Sequence, residues 1–176
     1  MAIDKIQSES INLADNFAFT GTVTGAGGVM TPAFEAYLSA NQDISSNTIT
    51  KVQCNTEIFD TASAYDNSSN YRFTPQTSGK YFFYSVMQMS CSSNNELQDV
   101  RAYFYKNGSL YKEAKFDPND STKEATIIIT LNAVIDMNGS SDYVELFSFI
   151  EPGSGTPRVI GGSNKQTTFG AYKIIT

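Results

Sequence analysis

The clearest signal along the chain is alternation of apolar and polar positions with a period of two. Residues 80–91 place Tyr81, Phe83, Met87 and Met89 on one face and Phe82, Tyr84 and Val86 on the other. A β-strand does this because successive side chains leave opposite sides of the pleat. Residues 99–106 set Val100, Ala102 and Phe104 against Arg101, Tyr103 and Tyr105, and 125–137 carry Ile127, Ile129, Leu131, Ala133 and Ile135 on one side. Shorter strand-like runs cover 34–38, 48–53, 56–59, 143–150 and 167–175. Asn107-Gly108 and Asn138-Gly139 each lie between such runs, and both read as tight hairpin turns, since Asn-Gly accommodates positive φ. No segment sustains a helical period. About eight strands joined by short polar loops predict an all-β antiparallel sandwich or barrel.

Segments 81–89 and 143–150 are apolar on both faces. In an antiparallel sandwich one face normally meets water and reads polar, so a second Tyr- and Phe-rich face predicts cover by another subunit. Tyr81, Phe83, Tyr103, Tyr105, Tyr143 and Phe147 are the candidates for oligomer interface or core.

Residues 1–30 differ from the rest and read as an N-terminal arm, leaving 31–176 as the domain. Within the arm, 17–24 alternate like one short strand and Gly25-Ala26-Gly27-Gly28 forms a joint. Such a stretch cannot build a core alone; it stays disordered or orders by pairing with something else. The glycines do not read as a phosphate loop. That chemistry needs a helix N-terminus, usually with Lys and Ser/Thr following, whereas Val29, Met30, Thr31 and Pro32 follow here.

Composition mainly excludes. The 176 residues contain no histidine, which removes the commonest general base and metal ligand at neutral pH and every imidazole-dependent triad. Ser154, in Gly153-Ser154-Gly155, therefore reads as loop rather than nucleophile. The net charge of −6 is spread along the chain and offers no counterion-release advantage on nucleic acid. The first residues lack the basic start and apolar stretch of a secretory signal, and nothing approaches a membrane span, so synthesis in a cytoplasm without membrane insertion is expected. Cys54 and Cys91 lack metal-like spacing and read as buried thiols rather than a bridge.

Carboxylates gather loosely at Asp60 and Asp66, at Asp117 and Asp120, and at Asp136, Asp142 and Glu145. No pair converges as a glycosidase requires. Such oxygens suit structural calcium, but solvated turn residues are the better reading of them, and no cofactor or metal ligand is assigned. The loop Tyr65, Asp66, Asn67, Asn70 and Tyr71 mixes aromatics with small polar groups, a composition suited to recognising sugars or proteins and equally to a solvated connection.

The block Phe73-x5-Gly79-x-Tyr81-x-Phe83 resembles the signature of complement C1q-like domains. Lys106-Asn107-Gly108, residues 139–146 and Phe169-Gly170-Ala171-Tyr172 are similar to that family's later hairpin, loop and closing strand; Ser85 departs from it, standing where a third aromatic is usual. The resemblance spans nearly everything after the arm. It implies a jelly roll of the C1q and tumour-necrosis-factor type that forms compact homotrimers. The arm, from Ile11-Asn12-Leu13 through Phe19-Thr20-Gly21-Thr22, resembles attachment segments of marine bacteriophage (cyanophage-like) virion proteins. Together these imply a non-enzymatic virion structural protein, assembled in the host cytoplasm, tethered to other virion proteins through residues 1–30. Its trimeric head would be a tail-fibre or adhesin tip contacting a host receptor or glycan, or a capsid decoration. Jelly-roll trimers present loops at an exposed apex, which favours the fibre; the short chain, without room for a shaft, is the argument for decoration. The competing reading is an extracellular C1q-like ligand- or carbohydrate-recognition module of a cellular organism.

Overall fold

The computed structural model describes residues 30–93, 96–117 and 124–174. The arm before Met30, with its expected strand at 17–24 and its glycine joint, lies outside them, as does Asp120. Thirteen strands make up the described residues: β1 (Ala33–Tyr37), β2 (Gln42–Asp43), β3 (Thr50–Lys51), β4 (Thr56–Asp60), β5 (Tyr65–Asp66), β6 (Arg72–Phe73), β7 (Gly79–Cys91), β8 (Leu97–Lys106), β9 (Ser109–Phe116), β10 (Thr126–Met137), β11 (Val144–Pro152), β12 (Pro157–Val159) and β13 (Thr168–Lys173).

The long strand β7 organises the first sheet. β10 pairs along nearly all of it, from Met137 opposite Gly79 to Thr126 opposite Ser90. On its other side lie β13, followed outward by β1 and β4, and then β12, followed by β2. The second sheet runs β5-β6-β11-β8-β9, with β3 also on β11. Every pairing is antiparallel.

The period-two pattern decides what lies between the sheets. Phe34, Tyr81, Phe83, Met87, Met89, Ile135 and Phe169 point inward from the first sheet, and Phe73, Phe104, Leu146 and Ile150 from the second, all fully buried. Phe34 stacks on Phe73 at 4.5 Å and on Tyr65 at 4.6 Å, and Phe104 bridges to Phe83 at 6.0 Å and Phe169 at 5.7 Å. Each such ring contributes roughly 1.5–3 kcal/mol through burial, and well-placed aromatic pairs add about 1 kcal/mol. Ser85, the departure from the C1q-like pattern, sits in this core, and its hydroxyl donates to Thr168 O across β13 at 2.8 Å. The bond satisfies a polar group that would otherwise be costly to bury.

The two Asn-Gly pairs part company. Asn107 (φ 52°) and Gly108 (φ 76°) form the expected tight turn between β8 and β9. Asn138-Gly139 is not a hairpin: β10 pairs with β7 and β11 with β8, so this segment carries the chain from one sheet to the other. Asn138 Oδ1 instead accepts the N–H groups of Ser140, Ser141 and Asp142 at 2.9–3.0 Å, organising a loop rather than a two-residue turn. The expected run at 48–53 contracts to two paired residues in β3, while β2, β5, β6, β9 and β12 were not read as strands from the sequence. Cys54 and Cys91 are both buried and free.

Candidate functional site

The two outer faces of the sandwich differ in how they are covered. On the first sheet, register places Phe82, Tyr84 and Val86 of β7 beside Tyr172, Gly170 and Thr168 of β13 on one side. On the other side they meet Val134, Asn132 and Thr130 of β10. Phe82 packs on Tyr172 at 5.5 Å and beside Tyr84 at 6.4 Å. Tyr84 lies down over Gly170, where an added Cβ would fall 2.4 Å from its ring, and its hydroxyl donates to Glu35 Oε2 at 3.1 Å. Burial and the neighbouring Glu35 carboxylate push the Tyr84 hydroxyl well above the ordinary tyrosine range. Around this aromatic row the face stays open, with Ile128 62%, Val134 48% and Val86 37% exposed.

The second sheet covers most of its own outer face, leaving Leu110 of β9, opposite Tyr105, 52% exposed. Phe147 packs against Tyr105 at 4.6 Å, and Tyr105 meets Tyr103 edge-on at 6.1 Å. Over these rings lie cations from the same chain: Lys51 Nζ is 5.7 Å from the Phe147 ring, Arg101 5.0 Å from Phe149 and Arg72 4.3 Å from Tyr143. Arg101 is held by Asp99, which also takes Lys115 at 3.4 Å, and Lys51 by Glu145 at 2.5 Å. Long cationic stems laid over aromatics shield apolar surface while their heads stay wet.

The sequence candidates therefore separate into three places. Tyr81 and Phe83 are fully buried between the sheets. Tyr103, Tyr105, Tyr143 and Phe147 lie on the outer face of the second sheet, Tyr143 and Phe147 under cations and Tyr103 almost wholly buried by neighbours on β11 and β9. The face left open is the one carrying Phe82, Tyr84, Val86 and Tyr172.

The 65–71 loop is also more structural than its composition suggests. Tyr65 is a core residue: its ring stacks on Phe34, and its hydroxyl donates to Cys54 O at 2.9 Å. Its side chain is thus almost wholly withdrawn from solvent. Asp66 ties the loop together, accepting from the N–H groups of Ser68, Ser69 and Asn70 at 2.9–3.1 Å and from Asn70 Nδ2 at 2.7 Å. These donors hold its carboxyl far below the usual carboxylate range. Tyr71 takes positive φ (51°) where the chain turns back into β6, and Asn67 is half-buried beside it. Between this loop and the segment after β6 lies an open cleft of about 310 Å³, lined by Ser63, Asp66, Asn70, Arg72, Thr74 and Gln76 among others. Of the five loop candidates, Tyr65, Asp66 and Asn70 line it, and Asn67 and Tyr71 do not.

The remaining carboxylates are engaged. Asp60 accepts from Ala62 N and Tyr65 N at 3.0 and 2.7 Å, and Asp136 pairs with Lys80 at 2.7 Å. Asp117 pairs with Lys115 at 2.7 Å, and Asp142 takes Lys106 at 2.9 Å and Asn107 Nδ2 at 2.8 Å. Among the described residues no three Cys, Asp or Glu side chains gather as metal ligands would.

No family model matches the sequence, and no curated protein matches it. Solved structures do match the fold. Eiger TNF from S. frugiperda superposes with a TM-score of 0.56 over 81% of this chain and 90% of that one, at 10% identity. Murine APRIL superposes with a TM-score of 0.58 over 81% of this chain and 98% of that one, at 9% identity. Likeness at such identities concerns the path of the backbone. The chain is an antiparallel jelly-roll sandwich of the tumour-necrosis-factor type.

Proposed function

We propose that the chain is a non-enzymatic binding head that works as a homotrimer, with the outer face of its first sheet packed against two further copies. The observation that carries this is the asymmetry between the outer faces. One shields its aromatics under its own lysines and arginines, while the other leaves Val86, Ile128 and Val134 open around an ordered row of Phe82, Tyr84 and Tyr172. Apolar and aromatic side chains exposed in this number on one face, with only Thr130 and Asn132 of β10 between them, are costly in water, and closed symmetry lets identical faces cover one another. Sedimentation of the purified chain at micromolar concentration tests it. The native protein is expected to run as a trimer, and Ile128→Lys, at a position already solvent-exposed in the protomer, to shift it toward monomer while near-UV circular dichroism stays native. A monomeric native protein overturns the proposal.

Within that role we place the head on a virion, tethered through residues 1–30 to other virion proteins and assembled in a host cytoplasm, as a fibre or adhesin tip or a capsid decoration. The two buried thiols support this setting, since neither needs an oxidising compartment. The cleft beside β6 favours the second reading, an extracellular recognition module that takes a small or carbohydrate ligand. Labelling of intact particles with an antibody to the domain separates them. Signal at the tail or capsid supports the virion role, and protein found only in the medium, unattached to particles, supports the module.

A further inference from the structure

The cleft beside β6 is lined by an arginine that pairs with no carboxylate among the described residues. Register places Arg72 on the outer face of the second sheet directly between two carboxylates, Asp66 on β5 and Glu145 on β11. Ordinarily one of them would take the guanidinium. Neither does. Asp66 turns into its own loop, where backbone and side-chain N–H groups of residues 68–70 fill its oxygens. Glu145 is taken by Lys51, whose ammonium also donates to Asn70 O at 3.1 Å. Arg72 is left over the Tyr143 ring at 4.3 Å, without a carboxylate partner among the described residues, and it lines the cleft. A guanidinium with no carboxylate of its own keeps its N–H fork for a ligand, and that fork suits bidentate capture of a planar anion.

The rest of the lining is Ala64, Tyr65, the Asp66 carboxylate, whose oxygens accept from residues 68–70, and neutral hydrogen-bonding groups. Ser63, Thr74, Gln76 and Asn70 supply hydroxyls and amides, and the volume of about 310 Å³ is at the lower end for small-molecule sites. Arg72, Lys51, Asp66 and Glu145 sum to no net charge, so a single anionic group is not opposed by the cluster as a whole. Hydroxyls and amides around one fixed cation match a hexose ring bearing a carboxylate better than a bare anion.

We infer that this cleft binds a carboxylated monosaccharide unit, with the carboxylate on Arg72 and the ring hydroxyls on the neutral lining. The inference rests on the reading of the chain as a binding head and names the chemistry of its ligand.

The test is titration of the isotope-labelled, assembled protein with methyl galacturonoside, with methyl galactoside and with acetate, followed by backbone amide shifts. Saturable shifts confined to 63–76 and the Tyr143 neighbourhood are expected for the acidic sugar, with affinity at least tenfold weaker for the neutral one and for acetate. Arg72→Gln is expected to abolish the response, and Arg72→Lys, which keeps the charge and loses the fork, to weaken it at least tenfold; thermal unfolding of each variant checks the fold. Equal response to acetate marks a generic anion site and overturns the sugar assignment. Equal response to the neutral sugar, unchanged binding by a folded Arg72→Gln, or no shifts overturns the site. Sedimentation of the same samples reports assembly separately: a trimer that ignores the sugar refutes the ligand and leaves the head intact, whereas a monomer refutes the head.

Discussion

Asp66 shows how one carboxylate can hold a loop and leave a measurable trace in stability. In the folded chain its oxygens are saturated by N–H donors, and its carboxyl is held far below the ordinary range, chiefly by the Ser69 N–H and the Asn70 amide. In the unfolded chain it returns to about 3.9. A depressed folded value means that the unfolded state binds the proton more readily, so the contribution is complete above about pH 4 and lost as pH falls further toward the folded value. Asp66→Asn removes the charge and much of the acceptor capacity. The melting temperature of the variant is expected to lie below that of the native chain at pH 7, and the gap to narrow steadily below pH 4. Thermal scans from pH 7 to pH 2 check it, and a gap independent of pH would contradict the assignment. Asp142, held low by Lys106 and Asn107, titrates in both proteins and cancels from the difference.

The strands that could be read from the sequence are those with one wet and one dry face, or with two dry ones. β7, β8, β10, β11 and β13 are long enough to show in the sequence; burial alternates along β7 and β10, whereas β8, β11 and β13 are buried on both faces over part of their length. β9 escapes because it is an edge strand exposed along most of its length, so Leu110, Tyr111 and Phe116 fall without a steady period. β2, β5, β6 and β12, of two or three residues, are too short to show any period. The candidate cleft was half legible. Its loop stands out by composition, but Arg72 does not, because nothing local reveals that Asp66 and Glu145 are engaged elsewhere. The open face carries a further test at Gly170. This glycine opposes Tyr84 across β7 and β13, and the ring covers it. A methyl at that position must displace Tyr84, breaking its bond to Glu35 and raising the ring into the plane where another copy would pack. Gly170→Ala is therefore expected to cost about 1–3 kcal/mol of protomer stability. In sedimentation it should also weaken self-association, and a variant that matches the native chain in both measurements contradicts this role for the tyrosine.

What stabilises the protein as an assembly should differ from what stabilises the protomer. Inside the sandwich the described residues carry no disulfide, and burial pushes the Cys54 thiol up to about 12, so it contributes as a small apolar group rather than as a redox group. Cys91 donates Sγ–H to Ser93 O at 2.8 Å and is likewise withdrawn. Reductant should leave unfolding unchanged. Concentration should not. If the outer face of the first sheet is covered only in the trimer, association favours the folded state by mass action, and the midpoint of unfolding rises with total protein. A hundredfold increase in concentration, from about 0.5 to about 50 μM, is expected to raise the melting temperature by several degrees in the native chain. In Ile128→Lys the midpoint should be flat, because that ammonium would have to be buried against a neighbour. Parallel scans of the two proteins, with and without reductant, read both effects at once. A native midpoint that ignores concentration and follows reductant would mean that the open face is simply solvated and that the thiols, not the interface, govern stability.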